Sequence, residues 1–147
     1  MDDDMKSQSI FLIVACVVSL LLPACTQYAD TSSTNSALLG SWNWQSSSGG
    51  FTGKQVFTPE TVGHTKQIRF SPDGEYREFQ DDSLVIAARY AVTTKRTIFG
   101  WHEVISFSDT TGRLSDKVIM RVTATSLGLS DPHPDGYGHA YVRVEER

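Results

Sequence analysis

Alternation of apolar and polar side chains, broken at short intervals by turn chemistry, constrains residues 38–147 more than any other feature. Leu84, Ile86, Ala88, Tyr90 and Val92 fall on one wholly apolar face, and Trp101, Ile105 and Phe107 share another. Val118, Met120 and Val122 alternate in the same way, as do Leu127 and Leu129. Period two is the signature of a half-buried strand, and no stretch here carries apolar residues at helical spacing. Between the runs lie Ser71-Pro72-Asp73-Gly74, Asp81-Asp82-Ser83, Thr93–Arg96 and Asp109-Thr110-Thr111-Gly112. Proline presets φ and glycine tolerates positive φ, so these clusters turn the chain. The pattern predicts eight short strands: residues 38–45, 65–70, 75–80, 84–92, 101–107, a strand around Val118–Val122, another around Leu127–Leu129, and 139–144. Tyr76 and Phe79 face opposite sides of the third unless a bulge intervenes. Residues 55–63, with Thr58-Pro59-Glu60, read as an irregular segment over one end. Strands joined each to the next imply an antiparallel up-and-down sheet, and this length is enough to close it into a small barrel without exposed edges.

The N-terminal region has a different character. Ile10–Leu22 is apolar apart from Ser19. As a helix it would be about 20 Å long, short of the roughly 30 Å hydrocarbon core, which suits a secretory signal better than a permanent span. Met1-Asp2-Asp3-Asp4 is acidic where such a signal is basic, an oddity removed if translation starts at Met5 ahead of Lys6. Leu22-Pro23-Ala24-Cys25 follows and resembles the lipobox of bacterial lipoproteins, in which the cysteine is lipidated and becomes the mature N-terminus. Cys16 is followed by apolar Val17–Leu22 and so cannot be that boundary. The resemblance implies a signal peptide over residues 1–24, lipidation at Cys25 and a permanent membrane anchor through its acyl chains. Thr26 in place of the aspartate that marks inner-membrane retention implies the outer membrane, if the host has one. Residues 25–37, rich in Ser, Thr and Asn, read as a flexible tether to a domain at 38–147.

Leu39-Gly40-Ser41-Trp42 opening the first strand, with Tyr141-Val142-Arg143 in the last, is similar to the pattern of lipocalin-like (calycin) proteins. Trp42-Asn43-Trp44, Ile68-Arg69-Phe70 and Asp73-Gly74-Glu75-Tyr76 are similar to small bacterial lipocalin-like lipoproteins. The resemblance implies that Gly40 and Trp42 form the barrel base and that the Arg143 guanidinium stacks on the Trp42 indole. It also implies a barrel that binds a small hydrophobic or amphipathic molecule. The chain is short for a large lipocalin and lacks the flanking helix and disulfide of that group.

Other chemistry is sparse. Net charge is -4, which disfavours phosphate backbones and so nucleic acid as a partner. Of the two cysteines only Cys25 would survive processing, and its sulfur goes to the lipid, leaving no thiol for catalysis, metal or disulfide. There is no Gly-x-Ser-x-Gly elbow and no phosphate-binding loop, so no catalytic residue, metal site or cofactor is expected. Asp131, His133, Asp135 and His139 lie close in sequence, but the interleaved prolines and glycines are what a stiff connection between strands needs. An eight-stranded barrel is either just filled by side chains or holds one small ligand. Arg89, Tyr90, Trp101, Glu103, Phe107 and Tyr141 are the candidate pocket residues. The alternative is a non-catalytic structural or interaction lipoprotein with a filled barrel.

Overall fold

The computed structural model describes residues 31–109 and 111–145. The expected signal peptide, Cys25 and the first residues of the tether lie outside the described residues. Helix α1 (Thr31–Leu38) leads into β1 (Gly40–Gly49), β2 (Gln55–Phe57) and a one-turn helix α2 (Pro59–Val62). Then follow β3 (Lys66–Phe70), β4 (Glu75–Gln80), β5 (Ser83–Thr97) and β6 (Gly100–Ser108). The chain ends with β7 (Lys117–Val122), β8 (Ser126–Ser130) and β9 (Tyr137–Arg143). From β3 to β9 each strand pairs antiparallel with the next, β1 pairs with β3, and β9 returns to β1. The result is a closed, up-and-down, eight-stranded barrel, with β2 added along the second half of β1.

Turn residues set the meander at most of the expected places, but Thr93–Arg96, expected to turn, has no Gly or Pro and continues β5, and the chain reverses at Ile98-Phe99 before Gly100 (φ 102°). Gly74 has φ 78° and its N–H donates to Ser71 O at 3.0 Å, closing the turn that Pro72 starts. Asp81 and Asp82 have φ 45° and 63°, the double left-handed turn whose twist matches that of the strands it joins. The carboxylate of Asp81 also accepts from Thr65 N at 2.8 Å, fixing where β3 begins. Residues 55–63, expected to be irregular, are ordered by Thr58, whose hydroxyl caps α2 while Thr61 reaches back to the Thr58 N–H.

The interior is built from Trp42, Ile68, Phe70, Ile105 and Leu127, all essentially inaccessible, with Tyr76, Ile119, Leu129 and Tyr141 around them. Phe70 packs edge-on to Tyr90 at 5.0 Å, and Tyr76 edge-on to Phe107 at 4.8 Å. Such aromatic pairs add about 0.5–1.5 kcal/mol each beyond the area they bury.

Three bulges correct the simple alternation. Pairing slips at Gln45 in β1, at Val85 in β5 and at Met120 in β7, each leaving one residue without a cross-strand partner. An extra residue moves everything beyond it to the opposite face. Leu84, expected inward with Ile86, is therefore 54% exposed, and Met120, expected in line with Val118 and Val122, is 47% exposed. Ile119 takes the inward place. In β4 alternation holds without a slip between Tyr76 and Phe79: Tyr76 is buried, while Phe79 borders an outer groove with Asn43 and Gln67.

The tether also needs correction. Its second half is not flexible but helical, because α1 packs on β5 and β7 and buries Leu38 completely. Thr-Ser-Ser-Thr-Asn-Ser is a poor helix-forming string, so the contact with the barrel holds this helix.

Candidate functional site

The two ends of the barrel are chemically different. At the base, the Arg143 guanidinium lies 4.0 Å from the centre of the Trp42 ring. Its Nη1 donates to Leu39 O, Nη2 to Ala37 O and Nε to Ala124 O, all at 2.6 Å. The Trp42 Nε1–H donates to Leu38 O at 2.8 Å. The last carbonyls of a helix have no partners of their own and carry partial negative charge. Arg143 and Trp42 therefore cap α1 as well as stacking on each other. Gly40 makes the approach possible: it has φ +113°, and a Cβ there would sit 2.8 Å from Arg143 Nη1. These three residues form a clasp that closes the base.

The opposite end is open and polar. The bulge at Gln45 turns Ser47 inward, opposite His139. Trp44 Nε1–H donates to Ser47 Oγ at 2.9 Å, so the Ser47 hydroxyl proton is free for His139 Nδ1 at 2.7 Å. His139 Nε2 faces Asp131 Oδ1 at 3.4 Å, and because a carboxylate only accepts, that contact is a hydrogen bond in the tautomer with the proton on Nε2. Lys117 Nζ also donates to this oxygen, and Tyr137 N donates to the other at 2.9 Å. On the neighbouring strands Lys66 lies 5.9 Å over the Trp44 ring and 3.3 Å from Glu78, whose other oxygen accepts from Tyr76 Oη at 3.0 Å.

Beside this network, and sharing Lys66, Glu78, Tyr76, Lys117 and His139 with it, lies a recess of about 180 Å³ inside the barrel mouth. Its wall is Ile68, Ile86, Phe107, Leu114 and Leu129, and its rim carries Lys66, Glu78, Arg113, Lys117 and His139. Burial is the largest influence on Asp131 and pushes its pKa up, but the Lys117 hydrogen bond, the Tyr137 N–H and the nearby cations outweigh it, to about 2. Burial and then Lys117 hold His139 below its usual value, against the opposing pull of Asp131. Burial, with Glu78 and Asp131 behind it, pushes the Tyr141 phenol far above its usual range. Tyr141 is 7% exposed and lines the recess. Its hydroxyl has no hydrogen-bond partner among the described residues.

Ser47, His139 and Asp131 have the order of a nucleophile, base and orienting acid. The arrangement works against that chemistry. Ser47 is buried, already accepts a hydrogen bond and does not line the recess. Asp131 is neutralised by Lys117, so it gives little help to an imidazolium. Among the described residues no group of three or more His, Cys, Asp or Glu side chains converges as a metal site.

Of the six candidate pocket residues, only Phe107 and Tyr141 line the recess. Tyr90 packs on Phe70 near the base and donates to Ser71 O at 3.3 Å. Arg89 points outward and is exposed. Glu103 and Trp101 share the face of Ile105, as alternation requires, but β6 runs on past the base, so Trp101 is 72% exposed. Lys66, Lys117, Ser47 and Asp131 belong to the polar network, yet the sequence marks none of them as mouth residues. The bulge at Gln45 has no sequence mark, and the cluster is drawn from several strands. Larger depressions, of about 490 and 620 Å³, lie on the outside, one beside Arg69 and Arg143 and one between α2 and β1, β3 and β4. Comparison with protein-family models, with curated proteins and with solved structures found no match.

Proposed function

We propose that this chain is a lipocalin-like lipoprotein of the cell envelope, held by a lipid on Cys25, whose barrel mouth takes a small amphipathic ligand. The observation that carries the ligand reading is Tyr141, a buried residue lining the recess whose hydroxyl has no hydrogen-bond partner among the described residues and is reached from the recess. A ligand group that accepts from this hydroxyl would add a hydrogen bond worth about 0.5–1.5 kcal/mol. Around it the rim holds three cations, Lys66, Arg113 and Lys117; Lys66 pairs with Glu78 on the rim and Lys117 with Asp131 outside it. Arg113 is the surplus charge and has no ion-pair partner among the described residues, which favours an anionic head. The size of the recess bounds the tail. It is below the roughly 300–1,000 Å³ of ordinary ligand pockets and close to the ~150 Å³ that admits a benzene ring. A short acyl chain or one ring fits; a long-chain lipid does not.

Titration of the protein with hexanoate, followed by amide NMR, tests this reading. Hexanoate should shift resonances of Ile86, Leu129 and Tyr141 with a Kd of about 1 mM, as expected for a ligand of so few atoms. Tyr141→Phe should weaken binding several-fold and keep the fold. No shift of interior resonances would instead support the second reading, a surface-acting lipoprotein, which is favoured by the aromatic filling of the interior. The anchor is tested separately: Cys25→Ser should release the protein from the membrane fraction.

A further inference from the structure

The strands β5 and β6 do not stop where the barrel does. Pairing of β6 with β7 reaches only to Val104, and that of β5 with β4 only to Arg89. Beyond these points β5 and β6 pair only with each other, through Thr94–Glu103, Lys95–His102, Arg96–Trp101 and Thr97–Gly100. At ~3.3 Å per residue this two-stranded ribbon overhangs the base by roughly 15 Å. Its tip is Ile98-Phe99, 53% and 42% exposed, and Trp101 stands beside it. The turn is well made. Thr97 Oγ1 donates to Gly100 O at 3.0 Å and accepts from Phe99 N at 3.1 Å, while His102 Nε2 lies 3.2 Å from Phe99 O. A rigid hairpin therefore presents apolar side chains to solvent, where loop tips are normally polar.

The ribbon leaves the barrel on the same end as α1, which packs against β5 and β7, the two strands flanking β6. Cys25 precedes α1 by only a few residues, which span at most about 20 Å when extended. An acyl chain on Cys25 and the tip of the hairpin can thus reach one plane. Arg96, opposite Trp101, has no ion-pair partner among the described residues, whereas Lys95 is held by Asp116 at 3.1 Å. An exposed Trp, two apolar tip residues and a cation are the chemistry of the headgroup boundary of an anionic bilayer. The exposed Phe51 and Val56 lie toward the mouth, away from the end where the chain enters the domain. We infer that the β5–β6 hairpin docks on the lipid surface, inserting Ile98, Phe99 and Trp101 beside the anchor and holding the barrel mouth away from the membrane. This rests on the reading of Cys25 as lipidated.

The protein supplies its own probe. Of its three tryptophans, Trp42 and Trp44 are buried and Trp101 is exposed. The full-length protein, isolated with its native N-terminus, is reconstituted into vesicles of phosphatidylglycerol and acyl-brominated phosphatidylcholine. Trp101 emission should shift to the blue and be quenched by the bromines, and its quenching by iodide should fall several-fold. Trp101→Phe should remove both signals, and Phe99→Asp should restore iodide access while the protein still floats with the vesicles. Floating protein whose Trp101 emission stays red and iodide-accessible would overturn the docking alone and leave the hairpin to a protein partner. An unmodified Cys25 by mass spectrometry would overturn the anchor and the docking together.

Discussion

Replacing Arg143 by alanine isolates the clasp. The side chain donates to three main-chain carbonyls and covers the Trp42 ring. The bond to Ala124 O is exposed and those to Leu39 O and Ala37 O are partly buried. Hydrogen bonds to a charged donor contribute about 1.5–3 kcal/mol each when shielded and about 1 kcal/mol when wet. The indole contact adds about 0.5–2 kcal/mol. The three bonds form as a unit, so their effects overlap, and Arg143→Ala should cost about 4 kcal/mol. With a urea m-value of about 2 kcal/mol/M, the midpoint should fall by roughly 2 M. Arg143→Lys keeps the charge but reaches one carbonyl at a time, and should recover no more than about 1.5 kcal/mol. Circular dichroism in urea provides the measurement, with the mature domain compared against both variants. A loss under about 1 kcal/mol for Arg143→Ala, or full rescue by lysine, would refute the reasoning that the planar fork caps α1.

Other predictions follow from the bulges, the glycine and the mouth. Leu84→Ser should change stability by no more than about 0.5 kcal/mol, whereas Ile105→Ala should cost about 2–5 kcal/mol; equal losses in urea titrations would remove the bulge at Val85. Gly40→Ala should cost about 1–3 kcal/mol, since φ there is +113° and the new methyl meets Arg143, and thermal unfolding would read it. Stability should decline with acid in two windows. His139, held below its usual value, resists the proton that the unfolded chain accepts near pH 6.5, so stability falls as pH drops from about 7 and His139→Gln should flatten that limb. Asp131 contributes above its unfolded value near 4, and that contribution is lost as pH falls toward about 2. Urea midpoints across pH would show both.

The eight barrel strands and most of the turns were legible because each rests on local chemistry, whereas Thr93–Arg96, read as a turn, and residues 55–57, read as irregular, are strand. Pro72-Asp73-Gly74 and Asp81-Asp82 turn the chain with little help from elsewhere, and strands between such turns have few ways to pair. The inward faces were legible only between bulges. Nothing in Gln45, Val85 or Met120 announces an extra residue, because a bulge is set by how two strands fit around a curved sheet. Helix α1 was hidden for a related reason: its polar residues predict no helix, and it forms because Leu38 has a buried place and Arg143 supplies a cap. The mouth shows the same limit from another side. Glu78 and Lys66 read as ordinary solvated strand residues until closure of the ring turns them toward Tyr76 and Tyr141.

The clasp ties together residues made at opposite ends of synthesis. Arg143 bonds to Ala37 across 106 positions, and β1 finds its second neighbour only when β9 exists. A chain emerging N-terminus first presents the α1 segment long before the arginine that fastens that helix. The barrel can then close only when synthesis is nearly complete, with its first strand waiting for its last. Contacts of such long sequence separation are slow to form, and a chain cut before β9 would be left an open sheet, with β1 and β8 as bare edges available to neighbouring chains.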